Sequence, residues 1–373
     1  MNILMTCFSR SWGGMEMFVV TLSRQLITKN INVTIAALSG TKIYEEAAKV
    51  SIPLKAINSA GYFKPGSILK IASYMKKNSF DIIHSHYSKD LWTLVPALKL
   101  SRNQSPLVLT KQLGSFIKKK DLLHKILYKR VNKITAISTV IKNNLLDTCP
   151  VTEDKIRVIY NAVDTNKFDP SKANRIKVRE EFKIGYNETV IGMSARFTAG
   201  KGYEEFLHSA KILDGKFDNL KFVLVGEPSY GEDDYGDEIK KLVDELNLND
   251  KVIFTGFRTD MPDIYSAMDI FAFPSHSEAF GMALTEAMAL NKPVVASNSN
   301  GVLDIVEDGK NGLLFQNKNV TNLTEKLEQL ITSEGERENL GTAARKTVVE
   351  KFDLDKITND FTDLYKSLMK EDL

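Results

Sequence analysis

Short apolar runs rich in β-branched residues alternate along the chain with longer stretches whose apolar residues recur at helical spacing. In the first half we predict strands at residues 3–7, 33–38, 82–84, 107–110, 134–137 and 156–159. Helices are predicted at residues 15–28, 68–77, 91–100 and 140–146. Strand and helix repeated in this order are typical of a parallel, doubly wound sheet.

The pattern lapses at residues 161–175, a segment rich in Asn, Asp and Lys that we interpret as an inter-domain linker. Further strands are predicted at residues 190–194, 222–225, 252–254, 270–273 and 294–296, and further helices at 203–213, at 282–290 and from Asn319 to the end. We therefore predict an α/β protein with two Rossmann-like domains, 1–165 and 175–352, and a C-terminal helix at about 353–373 that packs back on the first. Two such domains place a substrate cleft between them, at the carboxyl ends of their strands.

Composition narrows the class of protein. With 43% hydrophobic and 26% charged residues, the chain is not disordered or collagen-like. Its two cysteines, Cys7 and Cys149, are too few for a disulfide framework and indicate a reducing compartment. The first residues do not have the pattern of a signal peptide, and no apolar stretch reaches the roughly 18 residues of a membrane span. We therefore expect a cytoplasmic protein.

The formal net charge of +3 conceals two oppositely charged halves. Residues 1–170 contain 25 Lys and Arg against 11 Asp and Glu, whereas the remaining residues contain 25 against 36. Such asymmetry indicates that the first half faces an anionic partner, unless these are only the charges of a solvated surface.

Two groups of residues in the first half follow predicted strands. Gly13 and Gly14 precede a helix, so their N–H groups could hold an anion at its positive end, although a tight turn also explains paired glycines. His84 and His86 lie two residues apart, on one face of a strand. A metal site needs a third ligand, which the neighbourhood lacks, so we expect a hydrogen-bonding pair at the rim of the cleft.

The loop at residues 196–202 follows a strand of the second half. Arg196 and Lys201 flank a glycine-rich turn, but the phosphate-loop motif is incomplete, because Ala195 and Gly202 stand where it requires a glycine and a hydroxyl residue. The two cations suit the neutralisation of a diphosphate without a metal, unless both are merely solvated surface residues.

The segment 274–289 combines a polar loop with a helix. Glu278 lies on the loop, and the free N–H groups of the helix that begins near Gly281 could hold phosphate oxygens. Glu286 lies within this apolar helix, so its carboxylate must either face water or pair with hydroxyl or N–H groups.

Taken together, these residues resemble the retaining nucleotide-sugar glycosyltransferases of family 4, which have the GT-B fold. The resemblance covers essentially the whole chain, and the order and spacing of its motifs make it specific. The motifs are Gly13-Gly14 with Glu16, the strand Asp81 to His86, VIYNAVDTNKF, Arg196 with Lys201, FTGF, Glu278 with Glu286, and DIVEDGKNGLLF. The resemblance implies that the C-terminal domain binds the sugar nucleotide and the N-terminal domain binds the acceptor.

The resemblance also implies a role for each matching residue. Arg196 and Lys201 would stabilise the leaving diphosphate and Glu278 would bind sugar hydroxyls; with His86 they are the predicted catalytic residues. The predicted donor-binding residues are Gly14, Gly256, Phe257, Arg258, Phe280, Gly281, Met282, Glu286 and Asp304. The predicted acceptor-side residues are Gly13, His84 and Gln112. Gly14 would close on the diphosphate from the other domain, Glu286 would bind the ribose, and the transfer would retain configuration.

Two positions depart from the family pattern. Gln112 stands where many relatives have a histidine, and its amide can hydrogen-bond but cannot act as an acid or base. Asp304 is a shorter substitute for the glutamate that is usual near the donor. Both departures concern the identity of the sugar more than the class of reaction.

Residues 116–131 predict an amphipathic basic helix. Its apolar side, formed by Leu122, Leu123, Ile126 and Leu127, is expected to pack on the core, with Lys118, Lys125 and Lys129 on the opposite face. Acceptors of such enzymes are often lipid-linked, so we hypothesise that these lysines dock on an anionic membrane surface; the alternative is a solvated outer face.

We therefore expect a metal-independent retaining glycosyltransferase that needs no cofactor. Its donor would be a UDP-, GDP- or ADP-linked sugar and its acceptor a saccharide or lipid-linked saccharide, in the synthesis of a bacterial cell-surface polysaccharide, lipopolysaccharide or glycolipid. No nucleic-acid partner is expected. The alternatives on the same fold are a sugar-nucleotide epimerase and a non-catalytic binder of glycan or nucleotide.

Overall fold

The computed structural model describes residues 1–59, 61–228 and 233–371. The chain divides into two compact units. The first contains Met1–Ala162 together with the C-terminal residues from Leu354 onward, and the second is Val163–Asp353. The division falls at the beginning of the predicted linker segment.

The first unit is a parallel sheet flanked by helices. Its strands β1 to β7 are Asn2–Cys7, Asn32–Leu38, Leu54–Ile57, Ile82–Ser85, Leu107–Lys111, Lys133–Ala136 and Ile156–Val158. Helices α1 to α6 are Gly14–Thr28, Lys42–Lys49, Pro65–Lys77, Leu91–Ser101, Leu122–Lys129 and Thr139–Thr148. In the described part of the chain the strand order is β3-β2-β1-β4-β5-β6-β7, with parallel pairing throughout.

The second unit repeats this architecture. Its strands β8 to β13 are Thr189–Ser194, Leu220–Val225, Val252–Phe254, Ile270–Phe273, Val294–Ser297 and Leu313–Phe315. Helices α7 to α13 are Arg175–Glu181, Tyr203–Asp214, Asp233–Glu245, Met261–Ala267, Met282–Ala289, Val320–Thr332 and Glu334–Lys351. Over the described residues the strand order is β10-β9-β8-β11-β12-β13, again parallel.

Each sheet has one point where the chain reverses its direction of winding. In the first unit this point lies between β1 and β4, and in the second it lies between β8 and β11. The central strands β1 and β11 are buried along nearly their whole length because helices cover both faces of the sheet. Loops that leave the two strands at such a point diverge and form a crevice, which is where open α/β sheets bind ligands.

The last helix, α14 (Leu354–Glu371), belongs to the first unit. Phe361 is fully buried, with its ring centroid 6.1 Å from that of Phe18 on α1 and 5.4 Å from that of His84 on β4. At the start of the helix, Gln25 Nε2 donates a hydrogen bond of 2.6 Å to Asp355 Oδ1. The C-terminal helix therefore completes the core beneath the first sheet.

The predicted fold class, two Rossmann-like parallel-sheet domains, is confirmed. Every predicted strand is present, with ends that differ by at most two residues, but β3 and β13 were not predicted. The described residues after Asn319 are helical, as predicted, and they form three separate helices. Ser333 caps α13 by accepting the N–H of Glu336, and Asp353 pairs with Val163 in an isolated bridge. Both interruptions are local hydrogen-bonding events that periodicity does not reveal.

Replacing Phe361 by Ala should destabilise the first unit. The substitution empties a fully buried site between α1 and β4, and we expect a loss of roughly 3–5 kcal/mol in the free energy of unfolding. Denaturant titration followed by circular dichroism measures it. Asp363→Ala, at an exposed position of the same helix, is the control, and equal effects of the two substitutions would contradict the assigned packing.

Candidate active site

Two loops of the second unit meet where its sheet changes winding direction. The loop after β8 ends at Gly202, where α8 begins, and the loop after β11 begins at Pro274. Gly202 has φ +82°, and a Cβ there would lie 2.3 Å from the carbonyl oxygen of Pro274. Only glycine permits this approach. Gly202, one of the two residues that break the phosphate-loop motif, is thus the one that lets the two loops touch.

This contact joins two of the predicted catalytic residues. Lys201 Nζ lies 2.6 Å from Glu278 Oε1, and the side chains are about one fifth exposed, 23% and 18% respectively. Ser275 Oγ donates to the same carboxylate oxygen at 2.8 Å. Arg196, on the same loop as Lys201, has an exposed side chain. The site therefore combines a partly desolvated cation with a carboxylate of fixed orientation.

A layer of polar groups that the sequence did not reveal supports this pair. The N–H of His276 donates to the carbonyl of Gly200 at 2.9 Å. The His276 ring, through Nε2, lies 2.8 Å from Glu205 Oε1 on α8, and Asn317 Nδ2 donates to the His276 carbonyl at 2.8 Å. His276 therefore fixes the two loops relative to each other. Its position beside Ser275 in a dense polar segment was the only available signal.

Glu286 lies on α11, the helix that begins directly after Gly281. The hydroxyl of Tyr265 donates to Glu286 Oε2 at 3.2 Å. Burial raises the pKa of Glu286 to about 7, against smaller opposing effects of Lys167 and Tyr265. The carboxylate pairs with a hydroxyl, as one of the two predicted alternatives requires, and the residue is partly exposed. Met282 is the first residue of α11, so its N–H belongs to the unpaired first turn of the helix.

The loop after β12 packs against the same segment. The N–H of Gly301 donates to the Glu278 carbonyl at 3.0 Å, and a Cβ at Gly301 would lie 2.5 Å from the carbonyl oxygen of Ala279. Asp304 closes the short 3-10 turn Asn300–Asp304 that follows. Phe280 is buried, with its ring centroid 5.4 Å from that of Phe352. The turn carrying Asp304 is thereby fixed to the loop of Glu278.

The predicted base-binding residues lie on the loop after β10. Gly256 has φ +68°, and the Phe257 side chain is largely exposed. The Arg258 guanidinium donates to both carboxylate oxygens of Glu181, at 2.5 and 3.0 Å, and to Asp260 at 2.7 and 2.8 Å. These two carboxylates raise the pKa of Arg258. Arg258 is thus tied to Glu181 and Asp260, and Phe257 is the accessible side chain of this loop.

In the first unit the predicted anion site holds a carboxylate. The N–H of Gly13 donates to Glu16 Oε2 at 3.0 Å, and the buried Oε1 of Glu16 has no hydrogen-bond partner among the described residues. A Cβ at Gly14, the first residue of α1, would meet no atom within 4 Å. The Gly13 N–H is therefore already occupied, and the open approach to the backbone lies at Gly14.

The expectation of a hydrogen-bonding histidine pair at a rim is wrong, because both rings are buried. His84 Nδ1 lies 2.7 Å from the Tyr365 hydroxyl and Nε2 lies 2.6 Å from Thr110 Oγ1, so both nitrogens of His84 are engaged. His86 is 1% exposed, and neither of its ring nitrogens has a hydrogen-bond partner within the described part of the chain. Burial lowers the pKa of His86 to about 3, so the ring is neutral near pH 7.

Two consecutive buried polar residues, Lys111 and Gln112, lie at the carboxyl end of β5. Gln112 is buried, and its amide nitrogen has no partner among the residues described. Lys111, which the sequence did not single out, is also buried, and Nζ donates to Ser88 Oγ at 3.4 Å. With His86, these side chains are polar groups whose hydrogen-bonding capacity is incompletely used, which is the condition of a site prepared for a ligand.

The prediction for residues 116–131 needs correction in three respects. The helix there is only Leu122–Lys129, so Lys118 lies before it. Its apolar side does not pack on the core, because only Leu127 of the four predicted apolar residues is buried. Lys125 and Lys129 lie one helical turn from Leu122 and Ile126, beside them on the outer face. The large apolar side chains exposed in this region are Leu113, Phe116, Ile117, Leu122, Leu123 and Ile126.

The described residues contain neither a cluster of metal-ligating side chains nor a membrane-spanning helix. Within residues 1–59, 61–228 and 233–371, no group of three His, Cys, Asp or Glu side chains is placed to hold a metal ion. In the same part of the chain, no helix combines the length and apolarity needed to cross a bilayer.

Glu286 should make stability depend on pH. The unfolded residue ionises near 4.5 and the folded residue near 7, so the folded protein holds an extra proton between these values and stability falls as pH rises through this range. Glu286→Gln removes the ionisation and keeps an acceptor for Tyr265. We expect the variant to exceed wild type by on the order of 1–3 kcal/mol at about pH 8 and to match it near pH 4.

Denaturant titration at both pH values measures this difference. Glu338→Gln, at an exposed position of α13, is the control. A difference between Glu286→Gln and wild type that is the same at both pH values would contradict the assignment.

Comparison with known proteins identifies the family. The model for Glycosyltransferase Family 4 matches residues 12–167, and the model for Glycosyl transferases group 1 matches residues 174–347. The capsular polysaccharide biosynthesis glycosyltransferase CapM of Staphylococcus aureus is 30% identical over 256 residues. This match covers 67% of the present chain and 65% of CapM, slightly less than two thirds of that relative's length.

Solved structures share the fold over nearly the whole chain. A glycosyltransferase from Rickettsia africae has a TM-score of 0.90 at 24% identity, covering 99% of this chain and 98% of its own. The Anabaena protein HepE, in complex with UDP, has a TM-score of 0.86 at 22% identity, with coverage of 98% and 100%. The two family models, which together match nearly the whole chain, and the two parallel-sheet units show that this protein belongs to glycosyltransferase family 4, with the GT-B fold.

Proposed function

We propose that the protein transfers a sugar from a nucleoside diphosphate to a saccharide or lipid-linked acceptor with retention of configuration and without a metal ion. The observation that carries this proposal is the pair formed by Lys201 and Glu278 at the winding reversal of the second sheet. A cation and a carboxylate on touching loops suit a substrate that combines a diphosphate with a hydroxylated sugar ring.

Departure of the diphosphate is the step that needs charge stabilisation. Negative charge builds up on the phosphate oxygen as the glycosidic bond breaks, and the ammonium of Lys201 with the guanidinium of Arg196 would stabilise it. In metal-dependent transferases a divalent cation has this role. Lys201 is only 23% exposed, so its interaction with an oxyanion is less screened than that of a solvated lysine. These two cations favour a metal-independent reaction.

Glu278 would orient the sugar. Lys201 and Ser275 both bind Oε1, so Oε2 is available to accept hydrogen bonds from sugar hydroxyls. The acceptor hydroxyl would attack from the face that the diphosphate leaves, with a phosphate oxygen taking its proton, which gives retention. No side-chain base is required in this scheme.

The remaining contacts with the donor would come from the first turn of α11, from Glu286 and from Phe257. The free N–H groups of its first turn, at Met282 and beyond, would bind phosphate oxygens, and Glu286 would accept a ribose hydroxyl in place of the Tyr265 hydroxyl. Exposed Phe257 would border the base. The base itself is open among uracil, guanine and adenine. UDP is the first to test, because HepE, which has the same fold, binds it.

Membrane docking is proposed for the acceptor unit. The apolar side chains exposed from Leu113 to Ile126 lie beside Lys118, Lys125 and Lys129. Apolar groups flanked by lysines suit the interface of an anionic bilayer. The enzyme would work at the cytoplasmic face, and the role of CapM in capsular polysaccharide biosynthesis favours a cell-surface polysaccharide or glycolipid as the product.

Replacing Lys201 by Ala should reduce kcat about 10²–10³-fold, because one donor to the developing oxyanion is lost. Lys211→Ala, at an exposed position of α8 in the same unit, should leave the rate unchanged. The assay first screens UDP-, GDP- and ADP-sugars by thermal shift, then follows release of nucleotide with and without EDTA, and determines the anomeric configuration of the product by NMR. Wild-type activity of Lys201→Ala, activity abolished by EDTA, or an inverted product would each contradict part of the proposal.

Replacing Lys118, Lys125 and Lys129 together by Gln should weaken binding to phosphatidylglycerol vesicles. Each lysine near an anionic surface contributes about 1 kcal/mol, so we expect roughly a 100-fold loss of affinity. Co-sedimentation measures it. The matched control replaces Lys64, Lys76 and Lys77, three exposed lysines of the same unit, by Gln and changes the net charge equally. Equal binding of wild type to phosphatidylglycerol and phosphatidylcholine vesicles would refute membrane docking.

A further inference from the structure

Lys111 is a buried cation without a carboxylate partner. It is the last residue of β5 and only 7% exposed. Among the described residues no ion pair includes Lys111, and its one hydrogen bond, to Ser88 Oγ at 3.4 Å, is long. A buried ammonium is stable only when an anion or several hydrogen bonds compensate for its lost hydration. Nothing in the described part of the first unit provides this compensation.

The charge of Lys119 makes the environment of Lys111 less favourable. Burial, with Lys119 as the second cause, lowers the pKa of Lys111 to about 8, while Cys149 acts weakly in the opposite direction. Two ammonium groups that repel each other would both be stabilised by an anion bound between them. This arrangement differs from that of Lys201, where Glu278 already neutralises the cation.

A recess opens at this point of the first unit. Its volume is about 70 Å³, and its polar lining includes Ser88, Lys89 and Lys119. Ser88 also accepts the Lys111 hydrogen bond, so the buried ammonium lies behind one residue of the lining. Lys89 and Lys119, like Lys111, have no carboxylate partner among the ion pairs of the described residues. Two lysines and a hydroxyl thus line one small cavity, and the hydroxyl links it to a third lysine.

Aromatic rings form the other wall of the recess. Tyr62 and Trp92 line it, with their ring centroids 5.3 Å apart in an edge-to-face arrangement, and His124 follows at 5.5 Å from Trp92. Rings beside a cluster of cations provide an apolar surface next to a charged one. A ligand that matches both parts carries an anionic group attached to a sugar ring or a hydrocarbon chain.

We infer that the recess lined by Ser88, Lys89 and Lys119, with Lys111 bound to Ser88 behind it, binds a phosphate or pyrophosphate group of the acceptor. This inference rests on the proposed function and deepens it, because it assigns the acceptor to the class of phosphate-bearing saccharides or lipids. A headgroup of the bilayer itself is a different source of the same chemistry. Because Lys111 is buried, we favour a single phosphate group that enters the recess, and not the surface of a membrane, as the ligand.

The test uses inorganic pyrophosphate as the probe and the full chain as the protein. Because pyrophosphate could also bind at the donor site, isothermal titration calorimetry is performed with Lys201→Ala as the starting protein. In this background we expect pyrophosphate to bind. Adding Lys111→Met should weaken binding at least about tenfold, the effect of losing one charge-assisted hydrogen bond. Adding Lys77→Met, at an exposed position on α3, should change the affinity less than about twofold.

A second variant and a second readout keep the result interpretable. Lys119→Met, at a less buried position, should also weaken pyrophosphate binding, so misfolding of Lys111→Met alone cannot decide the outcome. Sedimentation with phosphatidylglycerol vesicles distinguishes the two phosphate sources, and we expect Lys111→Met to bind vesicles like wild type.

Three results would overturn the inference. The first is that Lys201→Ala does not bind pyrophosphate. The second is that neither Lys111→Met nor Lys119→Met changes pyrophosphate binding, and the third is that Lys111→Met loses vesicle binding but keeps pyrophosphate binding. Failure of the proposed function would be recognised separately, as full transferase activity of Lys201→Ala.

Discussion

The candidate site depends on one close approach of two backbone segments. Gly202 touches the carbonyl of Pro274 at a distance that excludes any side chain, and this contact brings Lys201 to Glu278. The His276 hydrogen bonds to Gly200 and Glu205 fix the same two loops. If the loops separated, Lys201 would become a solvated surface cation, whose interaction with an oxyanion is screened. Sheet topology supplies the crevice, and this glycine allows Lys201 and Glu278 to share it.

Sequence reasoning predicted the parts of the molecule that follow from periodicity and spacing. The strands of both sheets came from apolar runs, and Lys201, Glu278 and Glu286 came from their positions on loops and a helix after strands. What it missed depends on tertiary contact. Tyr265, the partner of Glu286, lies on another element. From the sequence alone, Lys111 is only the polar end of a strand, because its burial does not follow from the local pattern. Leu122 and Ile126 have the spacing of a core face, yet they are exposed, because periodicity identifies a face without showing what covers it.

The two units differ in how the charges of their buried and partly buried lysines are compensated. The second half of the sequence has more acidic than basic residues, and Lys201 at its candidate site is neutralised by Glu278. The first half has an excess of basic residues, and Lys111, Lys89 and Lys119 are without such partners among the described residues. Lys201, which is paired with Glu278, is stable without a ligand and would have to exchange this partner for a bound substrate. The unpaired cluster of Lys89, Lys111 and Lys119 lowers the stability of the free protein, and a bound anion would remove this cost.

Under the proposed function, the ion pair at Lys201 would bear directly on rate. Catalysis requires interactions that are stronger in the transition state than in the ground state. Glu278 would compete with the diphosphate for the same ammonium, and Ser275, which donates to Oε1, would keep this competitor oriented when the cation shifts. Before bond cleavage the carboxylate would retain part of the Lys201 interaction. As charge accumulated on the leaving diphosphate, the balance would move toward the phosphate, and the freed carboxylate could bind the sugar hydroxyls more strongly, just as the ring became electron-poor. In this mechanism the ion pair would tune Lys201 to the charge that develops during the reaction rather than to the charge present in the bound donor.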